Sequence, residues 1–282
     1  MKIFDTHTHY DSEKYNDDLY KTLENCYKIG IDKIVLIGAS IEDSIKEKQL
    51  CHKLNEKKLG INFYYTIGIH PDDIVINNNQ IKSNINDFDE IELNEYNKLK
   101  TIIEESLNDS CFVAIGEIGL DYFGDEKKDI VIRNNQQLWF ALQLDLAKKY
   151  NKPVVIHSRD AMEDTYNVLK QSLNGNKGIL HCYSYNKEVV NKFIDLGLYI
   201  GVGGVVTFKN GVKLKETVES IDLENIVLET DCPYLSPEPF RGKRNDSSNL
   251  TYVIKKISIL KNIDEEIVAK KLYENGLKIY NI

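Results

Sequence analysis

Two histidines one residue apart, His7 and His9, close the first apolar run of the 282-residue chain, Lys2-Ile3-Phe4-Asp5-Thr6-His7-Thr8-His9. Along a β-strand, side chains at i and i+2 share a face, so both imidazoles project together. Imidazole is a common ligand of divalent metals, and a paired delivery is half of a metal site. Donors recur at the ends of later apolar runs: Gly68-Ile69-His70-Pro71, Gly116-Glu117, Val155-Ile156-His157, Leu180-His181 and Glu229-Thr230-Asp231. Of the six histidines, His52 alone lies elsewhere, in a helix-like stretch over 41–58.

The expected ligands are His7, His9, Glu117, His157, His181 and Asp231. Four imidazoles and two carboxylates exceed what one four-coordinate ion needs. A carboxylate bridging two ions accounts for the number, with Glu117 as the bridge. Nitrogen and oxygen donors without thiolate suit Mg²⁺, Mn²⁺ or Zn²⁺. Asp5 has the parity of His7 and His9, which makes it a candidate to orient an imidazole. Cys182 and Cys232 adjoin ligands, but strand alternation expects both to face away as packing residues.

The elements that must deliver these donors are legible as eight apolar runs: 2–7, 33–38, 63–68, 112–117, 153–157, 178–182, 198–203 and 226–231. They are rich in Val and Ile, as buried parallel strands are. Helical spacing lies between them: Leu99, Ile102, Ile103 and Leu107; Leu138, Ala141, Leu142 and Leu146 in 138–150; Val190, Phe193 and Ile194 before Gly197. A last helix spans 264–280 with Asp264 as N-cap. Strands alternating with helices at this length predict an α/β fold, a (β/α)8 TIM barrel of one domain over 1–282, with active groups at the C-terminal strand ends. A doubly wound sheet is the alternative, and no Gly-x-Gly-x-x-Gly follows the first strand to support it. Between the third and fourth strands, 74–97 is Asn-rich and acidic and reads as an inserted surface loop.

Hydrophobic content of 42% and charged content of 28% fit a water-soluble domain. No apolar stretch of about 18 residues suits a membrane span, and no signal peptide is expected from the polar residues that close the first run. Five scattered cysteines without CxxC spacing fit a reducing compartment, and the cytoplasm is the expected location. A net charge of −8 counts against nucleic-acid binding, since phosphate affinity comes mainly from Lys and Arg. Bound metal can supply local positive charge instead.

The segments Phe4–His9, Gly68–Pro71, Ile115-Gly116-Glu117-Ile118-Gly119-Leu120-Asp121-Tyr122, Pro153–Asp160, Leu228–Leu235 and Arg241-Gly242-Lys243-Arg244-Asn245 resemble, in order, the motifs of the TatD family of metal-dependent deoxyribonucleases. The likeness runs from the first strand to the final helices, apart from the Asn-rich insertion. It implies a TIM-barrel hydrolase of the amidohydrolase-like group that cleaves DNA with divalent metal, usually Mg²⁺ and often from the 3′ end. The family's metal residues fall on the six ligands already named. Three positions depart from its usual pattern: Asp72 where a second histidine is frequent, Tyr185 where glycine is common, and Asp246-Ser247 where Glu-Pro is typical.

For such a reaction two ions about 3.5–4 Å apart would bind a phosphate oxygen and activate a shared water. Glu117 and Asp231 are the expected catalytic groups, Asp231 as ligand, proton acceptor or both. Arg159, Arg241, Lys243 and Arg244 are the expected phosphate grips, His70 a donor to a phosphate oxygen, and Tyr183 a base-stacking ring. The expected partner is DNA, single-stranded or at its 3′ ends, with no membrane. A different bond at the same centre is the alternative, such as the ester of a D-aminoacyl-tRNA or a small cyclic amide, because this scaffold hosts many chemistries. A barrel that keeps metal for stability alone is a third reading, disfavoured by the complete ligand set.

Overall fold

The computed structural model describes residues 1–77 and 80–282. Eight parallel strands form one sheet in sequence order: β1 (Ile3–Thr8), β2 (Ile31–Leu36), β3 (Asn62–Ile67), β4 (Phe112–Asp121), β5 (Val154–Arg159), β6 (Gly178–Leu180), β7 (Leu198–Val202) and β8 (Ile226–Leu228). Around them run α1 (Leu19–Ile29), α2 (Ile41–Glu56), α3 (Glu90–Ser106), α4 (Ile130–Lys149), α5 (Met162–Ser172), α6 (Lys187–Ile194), α7 (Val212–Ser220), α8 (Leu250–Lys261) and α9 (Glu265–Tyr280). This is the (β/α)8 barrel expected from the alternation. The strands are buried on both faces, which is why their sequences are Val- and Ile-rich rather than alternating.

The barrel closes where β8 meets β1. Asp231 N donates to His7 O at 3.0 Å, and His9 N to Cys232 O at 2.8 Å. Buried Asp5 reinforces this seam: it accepts from Thr230 N at 3.0 Å, Thr230 Oγ1 at 2.7 Å and Ser247 Oγ at 2.6 Å. Asp5 touches no imidazole ring, so it holds strands together rather than orienting a histidine. Burial raises its carboxyl to about 7 despite those donors.

Two helices depart from the sequence expectation in an instructive way. α4 starts at Ile130, capped by Asp129 accepting from Val131 N at 2.7 Å, eight residues before the apolar stripe. Its inner face carries Gln136 and Gln143 beside Trp139, Phe140 and Leu144. Gln143 bonds both backbone groups of Ile69, at 2.8 and 3.0 Å, and Gln136 bonds Asp121 N at 3.0 Å and Pro71 O at 3.2 Å. These buried amides brace the loop that carries His70, and their polarity hid the helix start. α3 likewise begins inside the Asn-rich segment, with Asp89 and Glu92 forming a reciprocal cap.

The insertion is therefore shorter than 74–97. Asn78 and Asn79, within it, lie outside the described residues. Lys82 and Glu92 form a buried ion pair there, and Asn77 N donates to Glu92 Oε1 at 3.0 Å. Phe88 stacks on Trp139 with ring centroids 5.2 Å apart. At the other end, Asp264 caps α9 as expected, accepting from Glu266 N at 2.8 Å.

Removing the seam carboxylate strands buried donors at Thr230, just after β8, and at Ser247, before α8. Asp5→Ala should lower unfolding free energy by about 1–3 kcal/mol at neutral pH with an unchanged denaturant slope. A midpoint equal to wild type in urea titration would show that the seam is held by other bonds.

Candidate metal centre

The donors converge on Glu117. β4 reaches it through a crowded stretch of backbone: a Cβ on Gly68 would lie 2.6 Å from Gly116 C, and one on Gly116 2.6 Å from Val155 Cβ. Glycine at both positions lets three strands close around the carboxylate. Glu117 Oε2 is 3.4 Å from His7 Nε2, while Oε1 is 2.9 Å from His157 Nδ1 and 3.4 Å from His181 Nε2. His9 Nε2 lies 3.2 Å from His7 Nε2 and 3.5 Å from Asp231 Oδ1. One carboxylate oxygen thus faces His7, which in turn meets His9 and Asp231, and the other faces His157 and His181.

Electrostatics follow from this packing. Burial pushes Glu117 up, but the imidazoles of His181 and His7 outweigh it and hold the carboxyl well below the usual range. Burial lowers His181 less than Glu229 and Glu117 raise it, so it reaches about 10. His7 is lowered by burial and by His181, whose ring stacks on it at 3.7 Å. The Nδ1 atom of His7 is buried without a hydrogen-bond partner, and that of His181 faces Glu229 Oε1 at 3.5 Å. A compact group of imidazoles and carboxylates, with an orphaned ring nitrogen on His7 and like-charged neighbours, fits bound divalent cations better than protons.

His70 stands at the edge of this group, its Nε2 3.9 Å from Glu117 Oε1. Burial lowers it to about 4, so it is neutral near pH 7. Its Nδ1 accepts from Asp72 N at 3.1 Å, which leaves the proton on Nε2, facing the site. Asp72, one of the departures from the family pattern, thereby fixes a tautomer through its backbone. Its side chain pairs with Lys127.

Two carboxylates were not among the expected site residues. Asp121 Oδ2 is 3.1 Å from His157 Nε2, and Glu229 Oε1 is 3.5 Å from His181 Nδ1 and accepts from Cys182 N at 2.6 Å. Both sit where supporting groups orient metal-binding imidazoles. Glu229 could have been found by its parity with Asp231. Asp121 could not, because β4 continues past Glu117 to Asp121, with a register shift between Ile115 and Ile118.

The expected substrate contacts divide. Arg159 is half exposed, 3.9 Å from Asp121 Oδ2, with its guanidinium stacked 3.6 Å over Phe123. Tyr183 is buried and donates to Asn186 O at 2.8 Å, so it offers no face to a base. Arg244 spends its fork on Asp18, at 2.7 and 2.8 Å, and is not a free phosphate grip. Arg241 stacks over Phe208 and Lys243 over Phe240, and neither lines the cavity of about 420 Å³ above Glu117. Tyr234, exposed beside Lys14, does line it. Cys182 also departs from expectation: its backbone turns to positive φ after β6 ends, and its sulfur comes near His181 and Asp231.

Barrel and donor set together define a metal-dependent hydrolase. The family described as TatD related DNase matches residues 4–281, and the chain belongs to it. YabD of Bacillus subtilis (strain 168), described as an uncharacterized metal-dependent hydrolase, is 35% identical over 99% of both chains. YcfH of Escherichia coli (strain K12), similarly described, is 27% identical over 100% of this chain and 97% of its own. Among solved structures, the TatD homolog YjjV of Escherichia coli K12 superposes with a TM-score of 0.84 at 26% identity, covering 99% of this chain and 98% of that one. An uncharacterized amidohydrolase of Saccharomyces cerevisiae has a TM-score of 0.85 at 19% identity, covering 99% and 100%, and shares the fold.

Because His181 is raised to about 10, it holds a proton at neutral pH that a metal must displace. Affinity for Mn²⁺, measured by calorimetry, should weaken as pH falls, by about tenfold per pH unit for each proton displaced. At fixed pH, Asp121→Asn should weaken it by about 10–100-fold by freeing the His157 ring. Wild-type affinity in that variant would remove Asp121 from the centre.

Proposed function

We propose that this protein hydrolyses DNA phosphodiester bonds as a 3′→5′ exonuclease with two divalent ions, Mg²⁺ first among them. The observation that carries the reading is the division of donors around Glu117, with one oxygen toward His7, which meets His9 and Asp231, and the other toward His157 and His181. Bound Mg²⁺ supplies a water of lowered pKa and neutralises charge on the phosphate. Family membership supports DNA as the substrate.

The chain's own groups then have distinct tasks. Asp231 is kept ionised by His9 and His181, opens on the cavity, and accepts the proton of the attacking water. Neutral His70 donates a hydrogen bond from Nε2–H to a non-bridging phosphate oxygen. Phe123 with Arg159 and Tyr234 with Lys14 offer exposed aromatic faces backed by cations, suited to splayed bases and their phosphates. The cavity rim also holds Asp11, Asp72 and Asp73, so phosphate binding depends on the metal charge.

Among the described residues no helix is long and apolar enough to cross a membrane. Free thiols at Cys26, Cys51, Cys111, Cys182 and Cys232 support a cytoplasmic location.

Single-stranded DNA labelled at either end should be shortened stepwise from its 3′ end with Mg²⁺, but not with EDTA or by Glu117→Ala. Absence of cleavage by folded, metal-loaded protein would exclude the nuclease and make D-aminoacyl-tRNA the next substrate.

A further inference from the structure

Far from Glu117, at the N-terminal end of the strands, the fold assembles a second group of metal-ligating side chains. Cys51 and His52 lie on α2, and Asp109 and Cys111 immediately precede β4. They are some 60 residues apart in sequence, and no CxxC or similar spacing marks them. The ligand atoms of His52, Asp109 and Cys111 lie within 4.8 Å of one another. The Cys51 thiol donates to Phe63 O at 3.1 Å, and Asn55 Nδ2 is 3.6 Å from the sulfurs of both Cys51 and Cys111.

We propose that Cys51, His52, Asp109 and Cys111 form a structural site for a thiophilic divalent cation of the zinc class, separate from the hydrolytic centre.

The donor set is the first argument. Two sulfurs, one imidazole and one carboxylate match the four ligands of a closed tetrahedral zinc site. Soft sulfur selects against Mg²⁺, so the two centres sort different metals. The second argument is that protons now occupy the places a cation would take. One joins His52 Nε2 to Asp109 Oδ2 at 2.8 Å, and another joins the Cys51 thiol to Phe63 O at 3.1 Å.

Support around the donors is the third argument. Asp109 Oδ2 accepts from Tyr65 OH at 2.7 Å, and Oδ1 accepts from Cys111 N at 2.9 Å. Asn55 is pinned by two bonds to the Phe63 backbone, both 2.9 Å. Such outer contacts orient ligands before the metal arrives. Access is open as well: a cavity of about 560 Å³, lined by Asn55, Lys58, Asn62 and Cys111, reaches the sulfur, and His52 is partly exposed. A cation here would tie α2 to the start of β4 across β3.

Co²⁺ distinguishes the two centres, because sulfur ligands add an intense charge-transfer absorption that nitrogen and oxygen ligands lack. Anaerobic titration of the reduced, metal-free protein should give this band with one equivalent of Co²⁺, and Zn²⁺ should bleach it. Glu117→Ala should retain the band, and so should Cys182→Ser, which removes the sulfur near the hydrolytic site. Cys111→Ser should abolish it, and His52→Ala, at a partly exposed position, should shift it while the protein stays folded. No thiolate band in wild type, or a band that survives Cys111→Ser, would overturn the proposal. So would a band lost in Cys182→Ser. A proposal on this site stands independently of which bond the hydrolytic centre cleaves.

Discussion

A buried carboxylate kept ionised by imidazoles is the interaction on which the molecule is organised. Alone in the barrel interior, Glu117 would take up a proton, because desolvation penalises its charged form. His7, His157 and His181 reverse that preference by surrounding it at 2.9–3.4 Å. The imidazoles in turn repel one another, as the lowering of His7 by His181 shows. Such a cluster is poorly served by protons and well served by cations, and the fold is arranged to hold it in that state.

Rigidity comes from groups that never touch the centre directly. Asp5 links β1 to Thr230 and Ser247, so His7 and Asp231 approach from a closed seam. Gln136 and Gln143 reach from α4 to the loop bearing His70. The three departures from the family pattern are absorbed locally. Asp72 pairs with Lys127 and sets the His70 tautomer, Tyr185 bonds Ser158 at 2.6 Å, and Ser247 donates to Asp5. None displaces a residue of the candidate metal centre.

What was legible in the sequence is what obeys a short period. Strands buried on both faces announce themselves as Val- and Ile-rich runs, and donors at their ends stand out against apolar neighbours. The barrel and the gathering of His7, His9, Glu117, His157, His181 and Asp231 followed from that contrast. Pairings made across the fold leave no such trace. Arg244 reads as a phosphate grip until Asp18 is seen to occupy it, and Tyr183 reads as a stacking ring until burial closes its faces. Asp121 was hidden because β4 runs on beyond the expected end of the strand, and Cys51 and Cys111 because α2 and the β4 approach meet only in space.

Whether Glu117 joins two ions is tested most directly by electron paramagnetic resonance of the protein titrated with Mn²⁺, a hard ion that the sulfur cluster disfavours. A carboxylate bridge predicts an exchange-coupled pair at two equivalents in wild type, replaced by isolated Mn²⁺ in Glu117→Ala. Isolated Mn²⁺ signals in the wild-type protein at two equivalents would contradict a shared bridge.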